Sequence, residues 1–254
     1  MGSDLAAAGL CVEFLGLPGA GKSTMSRVLA DLLHERGIAV TDPAPRAASV
    51  DPPLTRWATK LWYAARALVR HPGHTAFWIR LIVRSRQRRL ADAWTILVNW
   101  LYLLDRVGRH HTAPGVYVMD QGLFQALWSL AYGAGASVIP TAAVLKELQA
   151  ALPSRCVVVL VDVGSSAALA RLRQRRLGWS RLQHDLAAGD SGAPVIAAAA
   201  ALGQVERVAV ELAAHRRIRL LRVHNDDPAA LLSVAAALAA TLSETLRPEP
   251  LQPA

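Results

Sequence analysis

Leu10-Cys11-Val12-Glu13-Phe14-Leu15-Gly16-Leu17-Pro18-Gly19-Ala20-Gly21-Lys22-Ser23-Thr24 is the stretch that decides the fold. Its first six residues form a short, largely apolar run that reads as a strand buried between two layers. Gly-x-x-x-x-Gly-Lys-Ser follows, a spacing with a mechanism attached. The glycines let the backbone fold tightly enough for its N–H groups to point inward at phosphate oxygens. Lys22 then reaches the β- and γ-phosphates, Ser23 coordinates Mg²⁺, and the next helix presents the positive end of its dipole. Gly16, Leu17, Pro18, Gly19, Ala20, Gly21, Lys22, Ser23 and Thr24 are therefore the candidate nucleotide-binding residues. The motif needs a strand before it and a helix after it. The helix is supplied by Met25, Val28, Leu29, Leu32 and Leu33, apolar at helical spacing up to Arg36 and stopped by Gly37. Lysine is scarce, three residues against twenty-five arginines, which makes a chance Gly-Lys-Ser less expected.

Outward from this stretch, strands alternate with helices. Ile38 to Thr41 predicts a second strand, stopped by Asp42-Pro43. Val116 to Met119, Cys156 to Val161 and Ile218 to Val223 predict three more. Helices are expected at 123–132, 141–151 and 165–177, from Pro194 onward, and at about 228–246. The polar segment 178–192 reads as flexible. This alternation implies an α/β fold with a parallel, doubly wound sheet. The 254 residues suit one domain with an insertion.

That insertion, residues 54–111, carries the chain's charge. It holds eleven Lys or Arg against two Asp, a surplus equal to the +9 of the whole chain, and five of the seven tryptophans. Asp51-Pro52-Pro53 starts it and His71-Pro72-Gly73 breaks it into two helical parts. Trp57, Leu61, Ala64 and Leu68 recur at helical spacing and are expected to pack inward. Arg80, Arg84 and Arg88 are expected to form a cationic stripe on the second part. Such a segment suits an anionic or amphiphilic partner, a membrane surface included, or else a solvated helical hairpin. No stable nucleic-acid partner is expected, and a homodimer is compatible with the sequence.

No apolar run approaches the 18 or so residues of a membrane span. The N-terminus shows no basic region ahead of its first apolar run, which argues against a signal peptide. Two cysteines, Cys11 and Cys156, cannot build a disulfide framework and are expected to be buried thiols in a reducing, cytoplasmic compartment.

Ligands of open parallel sheets sit at the carboxyl ends of the strands. Asp42 and Asp120 both fall there. Val116-Tyr117-Val118-Met119-Asp120 has the Walker B form, four apolar residues and a carboxylate for Mg²⁺, or else a helix-capping aspartate. Asp42 can accept a proton from an attacking hydroxyl, hold the metal's water shell, or serve only as a turn former. Arg171, Arg173, Arg175 and Arg176 form a cluster at the start of a candidate lid, residues 171–192. Arg171 and Arg175 lie one turn apart, placed to stabilise charge on a transferred phosphoryl group. His224-Asn225-Asp226 ends the last strand, where Asn225 can meet a purine base. No Asn-Lys-x-Asp motif is present, which excludes an ordinary GTPase switch.

Taken in order, these elements resemble the thymidylate kinase and deoxynucleoside kinase group of P-loop kinases, over residues 10–44 and 116–246. Gly16-x-x-Gly19-x-Gly21-Lys22-Ser23-Thr24 matches that group's phosphate loop, and Thr41-Asp42-Pro43 its acidic-Pro element. Asp120 falls at its Asp-Arg or Glu-Arg position, and Arg171 to Arg176 at its arginine lid. The resemblance implies a five-stranded parallel sheet in order 2-3-1-4-5. It further implies an ATP- and Mg²⁺-dependent transfer of phosphate to a small-molecule acceptor. Gln121 stands where the group has the acceptor-binding arginine, and the insertion is longer than the usual acceptor helices. An acceptor other than thymidylate is therefore expected, such as a sugar, a nucleoside, a natural product or an amphiphile. The alternative is a nucleotide-dependent binding protein whose basic helices engage a membrane, nucleic acid or protein.

Overall fold

The computed structural model describes residues 9–41, 53–109, 115–134, 139–174, 180–188 and 192–246. Five strands, β1 (Leu10–Leu15), β2 (Val40–Thr41), β3 (Val116–Met119), β4 (Cys156–Asp162) and β5 (Arg219–His224), form one sheet in the order β2-β3-β1-β4-β5. All pairings are parallel, so the expected topology holds. β1, β3 and β4 are the central strands and are almost wholly buried, as strands covered on both faces must be.

Alternation along β1 divides the core. Leu10, Val12 and Phe14 pack against Met25, Leu29 and Leu33 of α1 (Lys22–Glu35) and against α10 (Leu231–Leu246). Cys11 and Leu15 face the other layer. That layer contains α5 (Leu123–Ala134), α6 (Thr141–Ala151) and α9 (Ala193–Ala214), and its core also takes in Trp78 and Trp100 from the insertion. Cys11 lies directly opposite Cys156 in the β1–β4 register. Both thiols are buried and unbridged, and the Cys11 thiol together with burial holds Cys156 well above the ordinary thiol range.

The insertion forms three helices rather than two: α2 (Pro53–Arg70), α3 (Pro72–Arg84) and α4 (Leu90–Arg109). The first break is the expected one at Pro72. The second follows Ser85, whose hydroxyl bonds back to the Ile82 carbonyl (2.6 Å) while Arg86 turns left-handed at φ 48°. Arg88 therefore leaves the expected stripe with Arg80 and Arg84, and pairs with Asp185 at 3.4 Å. The inward packing expected for Trp57, Leu61 and Leu68 also fails. Of that set only Ala64 is buried, and the three large side chains are exposed. Helical spacing identifies a shared face but not which way it turns.

The segment 178–192, expected to be flexible, contains α8 (Arg181–Ala188), after α7 (Ser165–Gln174). It is held by side chains that local sequence does not reveal. Arg181 bonds the Ser129 hydroxyl (2.6 Å) and Gln87 Oε1 (3.3 Å), and the Tyr132 hydroxyl bonds Asp185 (2.6 Å).

Candidate functional site

The site is built where β1 gives way to α1. Gly16 leaves no room for a side chain, because a Cβ there would lie 2.6 Å from the Val161 carbonyl oxygen. At Gly19 it would lie 2.6 Å from the Ala168 carbonyl oxygen, and Gly21, at φ 90°, presses against the Asn225 amide. Left-handed backbone and these close approaches restrict the positions to glycine. Together they fold residues 16–21 into a tight loop ahead of the α1 N-terminus.

Lys22 is buried, and its Nζ donates to the carbonyls of Gly16 (2.8 Å) and Leu17 (2.9 Å). Its charge is thus held over the loop it follows. Next to it, the Ser23 hydroxyl donates to Asp120 Oδ2 at 2.9 Å. Asp120 stands at the carboxyl end of β3, so a hydroxyl and a carboxylate separated by 97 residues meet at one point. Among the described residues no group of three or more His, Cys, Asp and Glu side chains gathers in one place. A divalent ion here would take Ser23 and Asp120 from the protein and its remaining oxygens from phosphate and water.

Asn225 is buried against the loop from the β5 side. Its Nδ2 donates to the Ala20 carbonyl (2.6 Å) and its backbone N–H to the Asp162 carbonyl (2.9 Å). The side chain braces the loop rather than standing free beside it. Arg171, on α7, reaches the carbonyls of Asn225 (2.7 Å) and Asp226 (2.8 Å). The Asp226 carboxylate in turn accepts from the Gly164 N–H (2.7 Å). The sheet thus brings Lys22, Ser23, Asp120, Asn225 and Arg171 to its carboxyl edge. Asp42 and Arg175 lie outside the described residues, as does Arg176.

Two participants are not apparent from the motif. Glu13 is wholly buried on β1, with its carboxyl against Gly122 at the start of α5. Its Oε1 accepts from the N–H groups of Phe124 and Gln125, the latter at 3.1 Å, and Oε2 finds no hydrogen-bond partner among the described residues. Burial pushes this carboxyl up to about 8 in spite of the helix N–H groups, which act in the opposite direction. Gln125 is buried as well, and its Oε1 accepts from the Gly16 N–H at 3.3 Å. Glu13 therefore fixes the first turn of α5, and α5 fixes the entry to the loop. A lone acid inside an apolar strand is the sequence signal for this, since such a group needs a specific partner.

A cavity of about 410 Å³ lies at the opposite, amino edge of the sheet, lined by Arg155, Arg216, Arg217 and Arg219 among others. It shares no residue with this site. No protein-family model matches the chain, and no curated protein matches its sequence.

Proposed function

We propose that this chain is a phosphotransferase that moves the γ-phosphate of ATP, bound with Mg²⁺, to a small-molecule acceptor, in a reducing cytoplasmic setting. The observation that carries the reading is the Ser23–Asp120 hydrogen bond at the mouth of a loop whose glycines admit no side chain. The residues fit the nucleotide. Loop N–H groups ahead of α1 would hold the phosphate oxygens, and Ser23 with Asp120 would hold the metal, which supplies charge neutralisation when bound.

The chain's own part is positioning and electrostatics. Lys22 would exchange its carbonyl partners at Gly16 and Leu17 for phosphate oxygens, and would then hold its charge where negative charge develops. Gln125 keeps the loop entry oriented through Gly16, and Asn225 braces the far side through Ala20. Arg171 sits at the β5 end with its guanidinium on backbone carbonyls, which fixes where α7 begins its cationic run. Asp42 remains the proposed acceptor of the attacking hydroxyl's proton, and Arg175 a proposed stabiliser of the transferring group.

The test is an acceptor screen read by ADP release. Turnover that rises at least tenfold with one class of hydroxyl-bearing compound supports the reading. Nucleotide binding with no acceptor-dependent turnover across sugars, nucleosides and amphiphiles would instead identify a nucleotide-dependent binding protein. Within the kinase reading, Asp120→Asn is expected to lower turnover at least tenfold and to regain part of it when Mn²⁺ replaces Mg²⁺. A loss indifferent to the metal would remove Asp120 from the metal site.

A further inference from the structure

Helix α2 is turned inside out. Successive helical residues rotate by about 100°, which places Trp57, Leu61, Leu68, Val69 and Trp62 within an arc of about 140°. Ala58 and Ala65 fall in the same arc, which contains no charged side chain. All seven residues are exposed, Trp62 at 65% and Val69 at 81%. The side turned inward carries the small buried residues Ala64 and Ala67, flanked by half-buried polar side chains. Lys60 bonds Asn99 of α4 (2.8 Å), and Arg66 pairs with the buried Asp105 (3.2 Å). An amphipathic helix ordinarily buries its apolar face, and here none of the described residues covers it.

The surroundings define what that is. The pairings 60–99 and 66–105 show that α2 and α4 run parallel, and α3 runs back beside them, its Thr75 hydroxyl donating to the Ala67 carbonyl and its Trp78 packing on Trp100. The start of α2, the end of α3 and the start of α4 therefore share one end of the hairpin. That end exposes Val83, Leu90 and Trp94. It also exposes Arg80, Arg84, Arg86 and Arg89. Exposed tryptophans and aliphatic residues beside a cluster of arginines match the interface of a bilayer carrying anionic headgroups. A second copy of the chain fits less well, because a symmetric contact through this end would bring two such arginine clusters together. Among the described residues no helix is long and apolar enough to cross a membrane.

We propose that the outward face of α2, with the arginines at the α3–α4 turn, docks this protein on an anionic lipid bilayer with α2 lying along the surface. The apolar face enters the headgroup boundary, and the arginines meet the phosphates. This holds whether or not the chain transfers phosphate.

The full-length protein would be mixed with vesicles of pure phosphatidylcholine and with vesicles containing phosphatidylglycerol, then read by co-sedimentation and tryptophan emission. Binding to the anionic vesicles with a blue shift is expected, since Trp57, Trp62 and Trp94 are exposed. Leu61→Glu with Val69→Glu should weaken partitioning by at least tenfold. These positions are exposed, so the fold, checked by circular dichroism, is retained. Arg84→Gln with Arg89→Gln should cost roughly fivefold per arginine and make binding less sensitive to salt. Lys22→Ala should bind vesicles like the wild type, which separates this outcome from that of the kinase reading. The proposal is overturned if anionic vesicles fail to bind, or if the α2 variants bind them as well as wild type. A dimer dispersed by Leu61→Glu without any vesicle binding, or binding to a single-stranded oligonucleotide in place of vesicles, overturns it equally.

Discussion

Lys22→Ala is expected to reduce acceptor-dependent ATP turnover by at least roughly a hundredfold. The ammonium group is buried and sits on the Gly16 and Leu17 carbonyls, so under the proposed reaction it would need only a change of partner to follow charge onto the transferring phosphoryl group. An interaction that strengthens toward the transition state carries several kcal/mol, and its loss appears in kcat as well as in kcat/KM. The alanine variant should keep the wild-type far-ultraviolet spectrum, because β1, α1 and their core residues are untouched. Near-wild-type turnover by a folded Lys22→Ala variant would show that the loop does not handle the phosphates.

The second large effect concerns stability against pH, and its sign is fixed by Glu13. Its carboxyl is raised in the folded chain from 4.5 to about 8. Between these values the native state holds a proton that the unfolded chain has released. The unfolding free energy must then fall as pH rises, by up to about 1.4 kcal/mol per pH unit. The contribution is intact below pH 4.5 and is lost progressively as pH climbs through 8. Glu13→Gln keeps the shape and the Oε1 acceptor for Phe124 and Gln125, and cannot ionise. Urea unfolding at pH 5, 7 and 9 should find the variant close to wild type at pH 5 and increasingly more stable toward pH 9, by several kcal/mol at most. Parallel profiles for the two proteins would mean that Glu13 is ionised in the native state throughout.

The sheet and the glycine loop were legible because each element carries its own local signal. β1, β3 and β4 are apolar runs of strand length, and Gly16, Gly19 and Gly21 occupy the positions where a side chain would strike backbone or the Asn225 amide. Asp120 was legible for a related reason, since a strand end in a parallel sheet has a fixed place. What the sequence concealed depends on partners far along the chain. Glu13 becomes a positioning group only because α5 starts against it, 111 residues later. α8 is a helix in a polar, glycine-containing stretch because Arg181 and Asp185 find Ser129, Gln87 and Tyr132. The stripe of Trp57, Leu61 and Leu68 announced a helix correctly and its orientation wrongly. The neighbour that decided the orientation, the buried Asp105 drawing Arg66 inward, is not visible in any local period.

The sharing of one core between the insertion and the layer behind β1 has a consequence for descent. Trp78 and Trp100 are fully enclosed among the same residues that support Leu15 and Phe124. Excising residues 53–109 would remove Trp78 and Trp100 from that core and uncover one side of α5, so the helices cannot be traded between lineages like a detachable cassette. Changes in whatever the hairpin touches outside must accumulate residue by residue on its outer surface, while its inner surface drifts in step with α5. Descendants of this chain should therefore keep apolar side chains at outer positions such as Trp62, Val69 and Leu90, and hold the volumes of Trp78 and Trp100 inside.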